Sequence, residues 1–193
     1  MGAKNHSPAA LSSFLRVVGP FFTLGAKLKI RRTEERDLPQ IQKIFTQGIA
    51  RQRSEGNFSQ WREDYPTIEV VKADIKAGTG WVCVDDDDQT VLGTWALGGH
   101  EPVYDQLKSG QWNYDLPYRV IHRMGTIPGQ GAGKFIIAHL QATCDYLRVD
   151  TFEKNSAMIK LLQKTGFKHC GIAYYEGFGE MQAFDYKRQD QTK

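Results

Sequence analysis

Cysteine is scarce in this sequence: three in 193 residues, Cys83, Cys144 and Cys170, with no CxxC pair among them. An odd, scattered set neither staples a small fold nor supplies a four-ligand zinc site, so an apolar core must hold the chain and a reducing, cytoplasmic setting is expected. Each cysteine sits in an apolar segment and reads as a small buried hydrophobe. Long apolar runs are missing as well. The nearest approach, residues 9–24, is broken by Arg16 and Pro20, is too short to span a bilayer, and has the large Leu24 where a signal cleavage site needs a small residue. Residues 1–26 therefore read as an extension outside the domain, either disordered or packed on a partner, and no membrane association is expected. A large excess of one sign of charge is also missing, with 25 Lys and Arg against 22 Asp and Glu. The net charge of +3 and pI near 8.7 carry no clustered basic patch, so no nucleic-acid partner is expected.

What is present suffices for one compact domain. Hydrophobic residues make up 40% of the chain and charged residues 24%, and 10 Phe, 8 Tyr and 4 Trp supply bulky apolar surface. That surface offsets the ordering entropy of a chain of this length. Apolar periodicity gives the order of elements. Residues 27–32 read as a strand. Asp37 then caps a helix whose face is Leu38, Ile41, Ile44, Phe45 and Ile49. Thr67 caps a second helix, with Ile68, Val71 and Ile75 inward and Gly78 as its stop. Two β-rich runs, 81–84 and 90–97, are joined by Asp85, Asp86, Asp87, Asp88 and Gln89. This acidic run reads as a solvated hairpin turn and not as a metal site, because consecutive turn residues point in different directions. A loop over 99–116 follows, then a strand over 118–127, a glycine-rich turn, a helix marked by Ile136, Leu140, Cys144 and Leu147, and a strand over 146–151. Asn155 starts a last helix that ends at Gly166, and two closing strands lie near 168–174 and 180–186. The order predicts an α/β fold with a mixed sheet and helices on both faces.

The informative segment runs Met124-Gly125-Thr126-Ile127-Pro128-Gly129-Gln130-Gly131-Ala132-Gly133-Lys134-Phe135. Alternate glycines between a strand and a helix let the backbone approach a ligand, and the free N–H groups of the first helical turn suit a phosphate or pyrophosphate. Spacing excludes two nucleotide motifs. A P-loop fails at Pro128 and Phe135, and the dinucleotide GxGxxG fails at Lys134. The segment resembles the acetyl-CoA pyrophosphate loop of the GNAT N-acetyltransferase superfamily, whose two turn glycines match Gly131 and Gly133, although Pro128 stands at its usual Arg/Gln position. A second block resembles the family's later strand, its Asn-initiated helix and the Gly-Phe that ends it: Leu147-Arg148-Val149-Asp150-Thr151, then Asn155, Met158, Leu161, Leu162, Gly166 and Phe167. The ending Cys170-Gly171-Ile172 resembles a bacterial branch. The resemblance spans about residues 27–186, so the chain divides into the extension 1–26, a GNAT-like domain 27–187 and a tail 188–193.

The resemblance implies an acyl-CoA N-acyltransferase fold: a mostly antiparallel mixed sheet flanked by helices, with two strands splayed at the cofactor site. It implies acetyl-CoA as co-substrate, no metal, and direct attack of a primary amine of a small molecule or peptide through a tetrahedral intermediate. It assigns Met124, Gly125 and Thr126 to the pantetheine arm, Gly129, Gln130, Gly131, Ala132, Gly133 and Lys134 to the pyrophosphate, and Asn155 either to the arm or only to its helix cap. Because dimers are common in the superfamily, a homodimer is expected. The family's helix tyrosine, seven residues after the starting Asn, is replaced by Leu162, so Tyr174 or Tyr175 is a candidate proton donor. His122, by its ordinary titration range, and Asp150, at the end of the later strand, are the candidate bases. Trp61, Tyr65 and Tyr118 are candidate acceptor-pocket residues. The missing tyrosine and altered turn keep a second reading open, a non-catalytic acyl-CoA-binding or regulatory domain.

Overall fold

The computed structural model describes residues 27–58, 60–62 and 65–189; the extension over 1–26 and the end of the tail lie outside the described residues. Eight strands form one sheet: β1 (Lys29–Arg32), β2 (Gly80–Val84), β3 (Val91–Gly98), β4 (Ser109–Gly110), β5 (Arg119–Thr126), β6 (Tyr146–Thr151), β7 (Lys168–Tyr175) and β8 (Gly179–Lys187). Their spatial order is β1-β2-β3-β5-β6-β8-β7-β4. Every neighbouring pair is antiparallel except β5 and β6. That pair is parallel because a helix carries the chain back between them, the crossover a parallel pair requires. The helices are α1 (Leu38–Ser54), α2 (Ile68–Ala77), α3 (Ala132–Thr143) and α4 (Ser156–Lys164).

Side-chain alternation divides the core by face. Ile121, Leu147, Val149 and Phe184 pack with Ile136, Ile137 and Leu140 of α3 and Leu162 of α4. On the opposite face Val82, Val84 and Val91 meet Ile41, Ile44 and Phe45 of α1 and Val71 of α2. Burying each of these large side chains is worth about 1.5–3 kcal/mol, which accounts for α1 holding its place. Beyond α1, the segment after β3 covers the remainder of this second face, where Tyr104 and Leu107 pack on Val120, Ala173 and Ala183.

Most predicted elements appear within a residue or two of their expected ends. Thr67 Oγ1 accepts from the Val70 N–H at 3.3 Å, and Gly78 closes α2 at φ 64°. Asp37 departs from expectation. It makes no side-chain cap for α1. It is buried and receives a two-pronged contact from the Arg31 guanidinium at 2.7 and 2.8 Å, while its Oδ2 accepts the Glu34 N–H of a short 3-10 turn. A fork-to-fork pair with Arg is the stronger use of a buried carboxylate. The acidic hairpin turn is held internally: Asp85 Oδ1 accepts from the N–H groups of Gln89 and Thr90, and Asp88 pairs with Arg31 and Arg36. The 99–116 loop contains two elements the periodicity did not show, a 3-10 turn at Pro102–Tyr104 and the two-residue strand β4. At the start of the expected tail, the Arg188 N–H still bonds to the Asp145 carbonyl at 2.8 Å.

Candidate active site

The site begins with a defect in β5. Thr94 pairs with Gly125 and Ala96 with His122, so Arg123 and Met124 together face the single residue Trp95. Arg123 takes φ 51° in this bulge. An extra residue bends a strand and reverses its alternation. Ile121 and Met124, three apart, consequently contribute to the same core face, while Val120 lies on the other. On its far side β5 pairs with β6 only at Arg119 with Leu147 and Val120 with Arg148. Past those residues the two strands separate, as the resemblance implied. The β6-facing peptide groups of residues 121–126 are left without a strand partner.

A cleft of about 190 Å³ opens at this separation. Ile44, Gly48 and Trp61 wall it on one side of the sheet, and Ala157, Met158 and Leu161 of α4 on the other. Met124, Gly125 and Thr126 form one edge, and Val149, Asp150 and Thr151 the other. Gly125 is required here by space: a Cβ would come within 2.9 Å of Ile44 Cγ2 and 3.1 Å of Trp61 Cη2. The Trp61 indole is in turn fixed edge-on against Phe45, with centroids 5.3 Å apart.

Next to the cleft, the turn Pro128–Gly131 leads into α3. Gly129 and Gly131 have φ 79° and 72°, and nothing lies within 4 Å of where their Cβ atoms would be. Gly131 is the N-cap and provides no side-chain cap. The first bond into the helix is from the Phe135 N–H to the Gly131 carbonyl, leaving the N–H groups of Ala132, Gly133 and Lys134 directed out of the helix end. Asn155 lines the cleft with both ends engaged: its Oδ1 accepts the Met158 N–H at 3.2 Å and its Nδ2 donates to Gln60 Oε1 at 3.0 Å. Gln60 reaches on to Thr151 Oγ1 at 3.2 Å, tying the α1–α2 connection to β6.

Asp150 stands at the opening. Its Oδ2 accepts hydrogen bonds from Tyr175 at 2.7 Å and Tyr104 at 2.8 Å. Burial pushes this carboxyl up, the two phenol bonds pull it back, and the nearby charge of Glu101 adds to the rise. Burial also raises both tyrosines well above the ordinary phenol range, so they remain donors.

Four of the expected catalytic and acceptor-pocket residues lie outside the cleft. His122 turns toward Gly98 and Glu101, its Nε2 3.5 Å from Glu101 Oε2, because the bulge comes after it and only Arg123 and Met124 are swung inward. Burial, followed by the positive charge of Arg123, pushes its pKa down to about 4. Tyr174 is 52% exposed and lies beside Lys108; Tyr175, on the same face of β7 as buried Ala173, is the residue that reaches Asp150. Tyr118 stacks over Arg148, whose guanidinium carbon is 4.0 Å from the ring centroid and which also faces Trp112 and Tyr146. Tyr65 does not line the cleft but touches a residue that does, its hydroxyl 3.4 Å from Arg123 Nη1 and its ring edge-on to Phe178. Burial raises the Cys83 and Cys170 thiols to about 12, which removes them as nucleophiles at neutral pH. Sequence reasoning missed Gln60, Glu101, Tyr104 and Arg123. None lies on a periodic face, although the inward alternation of Ala173 and Tyr175 was available in the sequence.

No protein-family model matches the sequence, and no curated protein matches it. Solved structures do. An acetyltransferase of the GNAT family from Streptococcus agalactiae 2603 is 28% identical, with a TM-score of 0.76 over 84% of this chain and 96% of that one. An N-acetyltransferase from Staphylococcus aureus Mu50 is 19% identical, with a TM-score of 0.55 over 84% of this chain and 99% of that one. A GNAT superfamily phosphinothricin acetyltransferase from Sinorhizobium meliloti, in complex with acetyl-CoA, is 14% identical, with a TM-score of 0.57 over 86% of this chain and 92% of that one. The last two likenesses show the fold alone. Taken with the parted strands and the open start of α3, the first places the chain in the GNAT superfamily of acetyltransferases.

Proposed function

We propose that the protein is an acetyl-CoA-dependent N-acyltransferase that moves an acetyl group to the primary amine of a small molecule or peptide, by direct attack through a tetrahedral intermediate. The observation that carries this reading is the separation of β5 from β6 beside an uncapped helix N-terminus. The residues present fit an acyl-CoA. The N–H groups of Ala132, Gly133 and Lys134 suit a pyrophosphate, with open space above Gly129 and Gly131. The free edge of Met124, Gly125 and Thr126 suits the amides of a pantetheine arm, which would bond to it as an added strand does. Asn155 and Gln60, bonded to each other, leave one further N–H on each carboxamide for the same arm.

Acetyl-CoA, when bound, supplies the activated thioester. The apolar walls from Ile44, Trp61, Ile121 and Val149 exclude water from it. Asp150, the acidic group lining the cleft among the described residues, receives the proton that the attacking amine must lose. The leaving thiolate needs no strong acid, since a thiol near pKa 8.5 leaves readily. Leu162, which stands where the family's helix tyrosine is usual, is fully buried in the core and offers none. That burial is the one observation favouring a second reading, an acyl-CoA-binding or regulatory domain without turnover.

Calorimetric titration of acetyl-CoA, CoA and ATP into the wild type and a Gly131→Trp variant tests the proposal. The expected result is micromolar acetyl-CoA binding lost in the variant, ATP silent, and CoA release on addition of an amine from a panel. Binding with no turnover on any amine supports the second reading, and a folded wild type that binds no acyl-CoA overturns both.

A further inference from the structure

We propose that Tyr104 and Tyr175 are positioning residues for the transfer: together they occupy one oxygen of Asp150, Oδ2, and so present the other, Oδ1, to the acceptor amine. The inference rests on the N-acyltransferase reading. Three separate parts of the chain converge on this point, the 3-10 turn Pro102–Tyr104, the end of β6 and the end of β7. Both phenol hydroxyls donate to Oδ2, at 2.8 and 2.7 Å, and Oδ1 has no hydrogen-bond partner among the described residues. No basic side chain pairs with the carboxylate among them either. A buried phenol and a half-buried one would be satisfied by any acceptor, and a carbonyl oxygen costs far less to bury than a carboxylate without a cation. A group that can take a proton, at the edge of the cleft, is therefore placed there for more than packing.

The step balances as follows. As the neutral amine attacks, its N–H bond breaks and an O–H bond forms at Asp150 Oδ1. The new N–C bond forms, the C–S bond breaks with its electron pair going to sulfur, and the proton then passes from Asp150 to the thiolate. Amine and acetyl-CoA give amide and CoA. The groups facing Asp150 are Tyr104 and Glu101 from the loop over the sheet and Tyr175 from β7. Glu101 itself faces His122 of β5, and Arg123, the next residue of that strand, is engaged by Asp74.

The opposed signs of these neighbours make the test specific. The phenol bonds stabilise the ionised carboxylate and the Glu101 charge disfavours it. In profiles of kcat/KM against pH, Tyr104→Phe and Tyr175→Phe should each move the acid limb upward, with about tenfold less activity along that limb. The double variant should move it further, and Glu101→Gln should move it downward, all with acetyl-CoA affinity retained. The carboxyl ¹³C titration of Asp150 reads the same order without turnover. A uniform loss of activity at every pH in the Phe variants, or a shift of Glu101→Gln in their direction, overturns the positioning role while leaving the acetyltransferase reading intact. An inactive wild type whose Asp150 titration still follows the expected order overturns the acyl-transfer reading, and the positioning role with it.

Discussion

His122 and Asp150 show how little separates a residue outside the cleft from one that lines it at the scale of a single residue. Both are titratable, both lie on the parted strands, and each was a candidate base by type. The bulge after His122 leaves its ring against Gly98 and Glu101, whereas Asp150 lines the cleft. Burial and the charge of Arg123 hold the His122 pKa down at about 4, so an NMR titration should find this imidazole neutral throughout the neutral range. The linkage has a definite sign. A histidine whose folded pKa lies below its ordinary value binds fewer protons folded than unfolded, so its contribution to stability is present at neutral pH. That contribution falls away as pH drops from about 6.5 toward 4. Chemical denaturation across that window should show the loss, and His122→Phe should lessen it. A ring that titrates at its ordinary value would contradict the burial seen here.

Among the elements, the helix starts divide into closed and open. Thr67 closes α2 and Asn155 closes α4, each by a side-chain oxygen on the N–H three residues on. α3 begins at Gly131 with no such cap, beside the cleft. A cap satisfies one backbone donor and is worth about 1 kcal/mol; α1 also lacks a side-chain cap but continues directly from the 3-10 turn Glu35–Asp37, whereas α3 leaves its first donors open beside the cleft. Thr67→Ala should cost about 1 kcal/mol in urea unfolding and leave acetyl-CoA affinity unchanged. A large fall in affinity would mean that the start of α2 takes part in the cofactor site.

Across the whole molecule, the loop over 99–118 brings Tyr104 to Asp150 at the cleft, and the edge of the sheet holds it there. Lys108 and Gln111 donate their N–H groups to Ile172 and Cys170, on either side of the pairing of Gly110 with Gly171. That contact tolerates no side chain. A Cβ at Gly171 would lie 2.0 Å from the Ser109 carbonyl oxygen, at φ 145°. The far end of the loop is held by Arg148 beneath Trp112 and Tyr118. Gly171→Ala should detach β4, which hydrogen exchange would read as lost protection at the Lys108 and Gln111 amides. Because Tyr104 belongs to the same loop, the acid limb of the rate profile should move upward too. Retained protection in this variant would show that Arg148 and its aromatic neighbours hold the loop by themselves.

The sequence by itself determined the helices, most strands, the glycine-rich turn and the residues of the later strand and helix. Those features depend on local periods, caps and glycine conformations, which neighbouring residues set among themselves. Only the tertiary structure decided which way β5 turns its side chains, where β5 and β6 part, and that Tyr104, Asp150 and Tyr175 meet. A bulge of one residue reverses alternation and leaves no mark in composition, and a hydrogen bond between residues 46 apart in sequence exists only once the sheet has brought them together.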